Sequence, residues 1–149
     1  MAEIARLCYV TTPLSIRFDP RLLERLRRRA QSTPGATPSG LAQRLVDEGL
    51  RMADHPGVIF KDGPSGRRAA LAFGPDVWEV VTVLREIDER GEAAVAAAAE
   101  VLGVPEAKVR VALHYYAAYP EEIDAEIDEA DRVSSEAERA WRIERRLLA

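Results

Sequence analysis

The sequence predicts a mainly α-helical fold, and three patterns carry that prediction. Residues 14–18 alternate apolar and polar, the mark of a half-buried strand, yet no second strand follows nearby. Two stretches behind it open on Asp19-Pro20 and Thr37-Pro38 and repeat apolar residues at helical spacing. Beyond them, Gly and Pro punctuate a hairpin-like segment and further helical stretches, ahead of an acidic and then arginine-rich tail. The expected organisation is a strand–helix–helix domain over 11–54, a small hairpin with a helix-turn-helix-like unit over 55–131, and a helical tail over 132–149.

At 149 residues, with 47% apolar and 31% charged side chains, the chain has the composition of a soluble globular protein of one or two small domains. No apolar run approaches the ~20 residues that span a bilayer, so no membrane is expected. "MAEIARLCYV" carries an acid and lacks the pattern of a secretory signal. Cys8 is the only cysteine, which excludes an internal disulfide and suits a cytoplasmic setting. The overall charge of −4 is unevenly spread: +3 over 1–54, −2 over 55–118 and −5 over 119–149. A basic head on an acidic body implies a polyanionic partner at one end.

In "TTPLSIRFDP", Leu14, Ile16 and Phe18 share one face while Ser15 and Arg17 share the other. A lone strand leaves its backbone groups unpaired, and fifty residues with two apolar helix faces make a poor core. Asp19 caps a helix in which Leu22, Leu23, Leu26 and Ala30 form the apolar stripe, with Arg21, Arg25, Arg28 and Arg29 largely outside it. "STPGATPSG" breaks that helix, and Thr37 caps a second, with Leu41, Leu45, Val46, Gly49 and Met52 or Ala53 expected to be buried. A second copy solves both problems: two strands pair across a two-fold axis and four helices cover them. Leu14, Ile16 and Phe18 then form the dimer core, and Ser15 and Arg17 project from a ribbon of the size that enters the DNA major groove.

Residues 12–53 resemble a ribbon-helix-helix domain of the CopG/Arc/MetJ class, through the alternating strand, the capped helix and the Gly35, Thr37, Ser39, Leu41 pattern opening the second helix. The resemblance implies a homodimer on double-stranded operator DNA, with Ser15 and Arg17 reading base edges. The third reader position falls on Pro13, which has no side-chain donor, so contact there shifts to Thr12 or is lost. Arg17 can grip guanine with two hydrogen bonds, whereas Ser15 is indiscriminate. The free N–H groups at Thr37, Ser39 and Gly40 suit a phosphate.

In the middle region, Val58–Phe60 and Arg68–Ala72 are expected to pair across "KDGPSG", leaving Arg67 and Arg68 either as phosphate contacts or as solvated turn residues. A helix follows from Asp76, with Val77, Val80, Val81, Leu84 and Ile87 on its stripe and an end at Gly91. "EAAVAAAAEVLG" and "PEAKVRVALHYYAAYP" form a helix-turn-helix-like pair, with Ala99 at the crossing, Gly103 at the turn and Val109 as anchor. The second of the pair is expected to bury Val109, Ala112, Leu113 and Tyr116. Its entry carries Glu106, which repels phosphate, so packing rather than DNA reading is its expected role.

Through "HPGVIF", "GRRAAL", "GPDVWEVV", "LGV" and "YYAAYPEEIDAEI", residues 55–131 also resemble the domain-of-unknown-function family numbered 433. That resemblance implies a toxin–antitoxin pair whose toxin is a PIN-like ribonuclease with an acidic metal site. In the tail, Ser134 or Ser135 is the expected cap of a last helix. Trp141, Arg142, Arg145 and Arg146 there have the composition of an interface hot spot. The alternative is that Trp141 docks back on its own domain. His55, His114 and Cys8 lack metal-ligand spacing, and no nucleophile elbow or phosphate loop is present, so no enzyme and no cofactor are expected. The expected function is that of an antitoxin repressing its own operon, with a free-standing repressor as the alternative.

Overall fold

Asp19 and Pro20 open the first helix as their chemistry requires. In the computed structural model, which describes residues 13–64 and 66–148, the Asp19 carboxylate accepts the N–H groups of Arg21 (2.9 Å) and Leu22 (3.3 Å). Helix α1 spans Pro20–Gln31 and α2 spans Pro38–Asp54. Thr37 Oγ1 accepts the Gly40 N–H at 3.1 Å, and a Cβ at Gly40 would crowd that same oxygen. Leu26, Ala30 and Leu41, with Ala42 against them, form a small separate core.

The chain divides into two units between Arg44 and Leu45, inside α2, rather than at the expected 54/55 boundary. The second half of α2 carries Glu48 and Arg51, which pair with Arg67 and Glu122 further along the chain.

The expected strand is not a strand in the single chain. Residues 13–19 have no regular structure, and among the described residues 13–18 make no backbone hydrogen bond. A ladder needs two strands, and among the described residues none pairs with this segment. Leu14 and Ile16 are 82% and 55% exposed, while Phe18 is partly covered. Of the expected buried face of α2, only Leu41 is buried; Leu45, Val46, Met52 and Ala53 are exposed. Thr12, Cys8 and Ser65 lie outside the described residues.

In the second unit, β1 (Val58–Gly63) pairs antiparallel with β2 (Gly66–Leu71), Val58 opposite Leu71 and Gly63 opposite Gly66. This is the expected hairpin, with shifted ends. Helices α3 (Val77–Glu86), α4 (Glu92–Leu102), α5 (Glu106–Ala118) and α6 (Pro120–Leu147) complete it. Helix α3 touches β2, α4, α5 and α6, and its stripe of Val77, Val80 and Val81 lies in the main core with Leu71, Ala98, Val109, Ala112 and Ile123. It stops at Glu86, short of Gly91, which instead precedes α4.

The α4–α5 turn is built as its sequence demands. Gly103 adopts φ 64°, and the Val104 N–H reaches back to the Ala99 carbonyl at 3.0 Å, a left-handed helix cap that favours glycine. Phe73 is less expected, a fully exposed non-glycine residue at φ 55°. Its loop is held by Lys108 Nζ, which donates to the carbonyls of Ala72 (2.7 Å) and Phe73 (3.0 Å). These charge-assisted bonds offset the backbone strain.

Two expectations about the last helices are corrected. Helix α5 buries Val109 and Ala112 as expected, but its third fully buried residue is Tyr115, while Leu113 and Tyr116 are only partly covered. Ser134 and Ser135 cap nothing: α6 is one helix of 28 residues running through them, and the acidic stretch before them is its first half. A run of good helix formers from Pro120 onward leaves no break for a second start. Among the described residues no helix is long and apolar enough to cross a membrane.

Candidate functional site

In the head, the candidate readers are presented to solvent. Ser15 and Arg17 are exposed in the irregular segment before α1, and Thr37, Ser39 and Gly40, all exposed, lie at the start of α2. The first turn of α2 holds no acidic residue, so its positive end is left for an anion.

The hairpin arginines are placed differently. Arg67 forks onto Glu48, Nε to Oε1 at 2.6 Å and Nη2 to Oε2 at 2.7 Å, with Asp62 at 3.4 Å. The Glu48 hydrogen bond is the main reason its guanidinium is held above the ordinary arginine range. Arg68 donates to Asp76 at 3.2 Å, crossing Gly63 so closely that a Cβ there would run into its guanidinium. Neither side chain is a solvated turn residue nor presents an uncompensated cation to phosphate. Buried carboxylates pair with both.

Asp76 is the centre of a cluster the sequence did not announce. It is buried, accepts from Arg68 and from Trp78 Nε1 (3.2 Å), and lies 2.6 Å from Lys61 Nζ as an ion pair. Glu79 accepts the Asp76 backbone N–H at 2.6 Å, completing the entry to α3. A second cluster surrounds Arg51. Its Nη1 donates to Glu122 Oε2 (2.6 Å) and Tyr115 OH (3.0 Å), and Tyr115 donates to Glu122 Oε1 (2.8 Å). The Arg51 Nε is 3.0 Å from Asp47 Oδ2 but poorly aligned, an ion pair rather than a hydrogen bond. Its guanidinium also lies 4.3 Å from the Tyr119 ring centre, and His55 packs edge-on to Tyr115 and Tyr119. Burial lowers the affinity of Arg51 for its proton, but the bonds to Glu122 and Tyr115 outweigh it and hold the group fully charged.

Next to these clusters, Glu126 on α6 is the misfit. It lines a depression of about 160 Å³ with Gly66, Arg67, Arg68, Ala125 and Glu129, and its Oε2 is buried with no hydrogen-bond partner among the described residues. Burial first, then the Glu122 and Asp76 charges, push its carboxyl up to about 7 against the pull of Arg68. The folded state therefore holds this proton more tightly than the unfolded chain does. Its contribution is greatest below the ordinary glutamate range and is lost as pH rises from about 4.5 through about 7. Glu126→Gln should remove that slope and, discounted for partial exposure, stabilise the protein at pH 8 by about 1 kcal/mol. Urea midpoints at pH 5 and pH 8 measure it; an unchanged difference between the two pH values would refute it.

The tail residues are brought together but not covered. From residue 131 through 147 every position of α6 is exposed, and Trp141 is 53% accessible with Arg145 stacked 4.9 Å from its ring centre. Arg142 is tied to Glu138 at 2.5 Å. Trp141 is thus not part of the core of its own chain.

No family model, curated protein or solved structure matches this chain. Its chemistry is therefore read from its own residues. Arg51, Glu48, Asp76, Tyr115 and Glu122 were not singled out as partners in the sequence. The one local signal was an arginine inside the apolar run of α2, beside Met52, where a charged residue needs a distant counter-charge.

Proposed function

We propose that the chain is a non-enzymatic, DNA-binding antitoxin. As a homodimer it would grip double-stranded operator DNA through residues 12–17 and the start of α2, and the second half of α6 would bind a toxin. The observation that carries the reading is the exposed apolar segment of Leu14 and Ile16, whose backbone has no hydrogen bond among the described residues, alongside an α2 whose apolar residues beyond Leu41 are largely uncovered. A second copy of the same segment satisfies backbone and side chains at once. The toxin part is supported by the exposed second half of α6, where Trp141, Arg142, Arg145 and Arg146 are all open to solvent. A PIN-like ribonuclease, whose acidic metal site an arginine can enter, is the partner the resemblance over 55–131 suggests. A free-standing repressor is the alternative, in which the exposed tail serves only assembly.

The experiment compares binding to the chain's own promoter DNA and to random DNA. Arg17→Ala should cost about 1–3 kcal/mol on the promoter and little on random DNA. Equal wild-type affinity for both would remove every repressor reading. In the same preparation, a chain ending at Asp131 should still bind DNA yet fail to inhibit the nuclease encoded beside it. Absence of any complex with that neighbour would leave the free-standing repressor.

A further inference from the structure

The head carries a row of arginines that the proposed readers do not use. Arg21, Arg25 and Arg28 recur on α1 at intervals of four and three residues, so they share one face over a rise of about 10 Å. The buried Leu26 and Ala30 lie on the other side of the helix, and Arg29 flanks the row. All four are exposed. Among the described residues Arg21, Arg25 and Arg29 have no ion pair, and Arg28 meets only Glu24, at 3.7 Å.

That layout works against the helix itself. Arg21 stands in the first turn, where no acid is present and the helix dipole disfavours a cation. Arg21 with Arg25, and Arg25 with Arg29, are like-charge neighbours one turn apart. In the second unit Arg51, Lys61, Arg67, Arg68, Arg85 and Arg110 each have a carboxylate within reach. Arg21, Arg25 and Arg29 have none among the described residues, which leaves the row open to a counter-charge from outside.

We propose that this face of α1 is a second, sequence-independent binding track for the phosphate backbone of double-stranded DNA. The inference rests on the DNA-binding reading above and adds a surface to it. Guanidinium forks match phosphate oxygens, and an evenly spaced row whose exposed apolar neighbour is Leu22 alone fits a uniform polyanion better than a protein hot spot. A lipid surface fits worse, because an interfacial helix inserts its apolar face, and here Leu26 and Ala30 are already packed against Leu41.

The test is the triple variant Arg21→Gln, Arg25→Gln, Arg28→Gln against wild type, titrated with a random-sequence duplex over a range of salt. The slope of log affinity against log salt should fall by about 0.9 for each phosphate that the variant no longer neutralises. Affinity for the random duplex should drop by more than tenfold at low salt, while the preference for promoter over random DNA stays as it was. Helix content and melting temperature should be equal or higher, since repulsion has been removed, so misfolding does not confound the result. An unchanged slope in a variant that keeps its promoter preference overturns the track alone. A wild type with no affinity for any duplex overturns the DNA reading and the track together. Loss of binding confined to phosphatidylserine vesicles overturns the track in favour of a membrane surface.

Discussion

Tyr115→Ala should cost the full chain about 3–5 kcal/mol of unfolding free energy, enough to threaten a domain of this size. Tyr115 is among the largest fully buried side chains and belongs to the core that α5 and α6 share with the hairpin. Its ring packs 4.7 Å from Tyr119, 5.2 Å from His55 and 6.3 Å from Phe60 between centres. Truncation empties that space and also removes the hydroxyl shared by Arg51 and Glu122. Tyr115→Phe separates the two effects. It keeps the ring and leaves the direct Arg51–Glu122 contact at 2.6 Å, so its cost should be near 1–2 kcal/mol. Urea unfolding of both variants checks this. A Phe variant as damaged as the Ala variant would transfer the weight from packing to the hydroxyl network, and an Ala variant within about 1 kcal/mol of wild type would refute the core assignment.

What the sequence disclosed and what it hid divide along sequence separation. Asp19, Pro20, Thr37 and Gly103 act on groups within four or five residues, so each was readable from its neighbours and each is found doing what its chemistry requires. The hairpin, too, was legible, because its two strands flank one Gly- and Pro-rich turn. Arg51 with Tyr115 and Glu122 joins positions 64 and 71 residues apart, and no periodicity encodes such a partnership. Arg67 and Arg68 misled for the same reason: Glu48 and Asp76 lie outside the hairpin that made the two cations look free. The boundary within α6 was a false break. A change from acidic to mixed charge alters the surface of a helix without ending it. Residues 14–18 are a different case: their periodicity is clear, yet among the described residues they form no strand.

Ile16→Asp should therefore abolish dimerisation and, with it, all measurable preference for promoter DNA. The head has little else to hold it: Leu26, Ala30, Leu41 and Ala42 are its only hydrophobic cluster among the described residues. In the proposed ribbon, Leu14 and Ile16 from both chains are covered, and each such side chain contributes roughly 1.5–3 kcal/mol on burial. An aspartate replaces that gain by a desolvated carboxylate facing its own symmetry mate, a penalty on the same scale or larger. Sedimentation should show a monomer, and helix content assigned to α1 and the start of α2 should fall. The second unit should keep its unfolding midpoint, because the contacts of residues 45–149 are largely internal. Ser15→Asp is the matching control. A strand alternates faces at every residue, so the same charge one position earlier points away from the dimer core. That variant should remain a dimer yet lose DNA, by repulsion from the phosphates. If Ser15→Asp disrupts the dimer and Ile16→Asp does not, the register of the ribbon is inverted, and Arg17 would face the core instead of the groove.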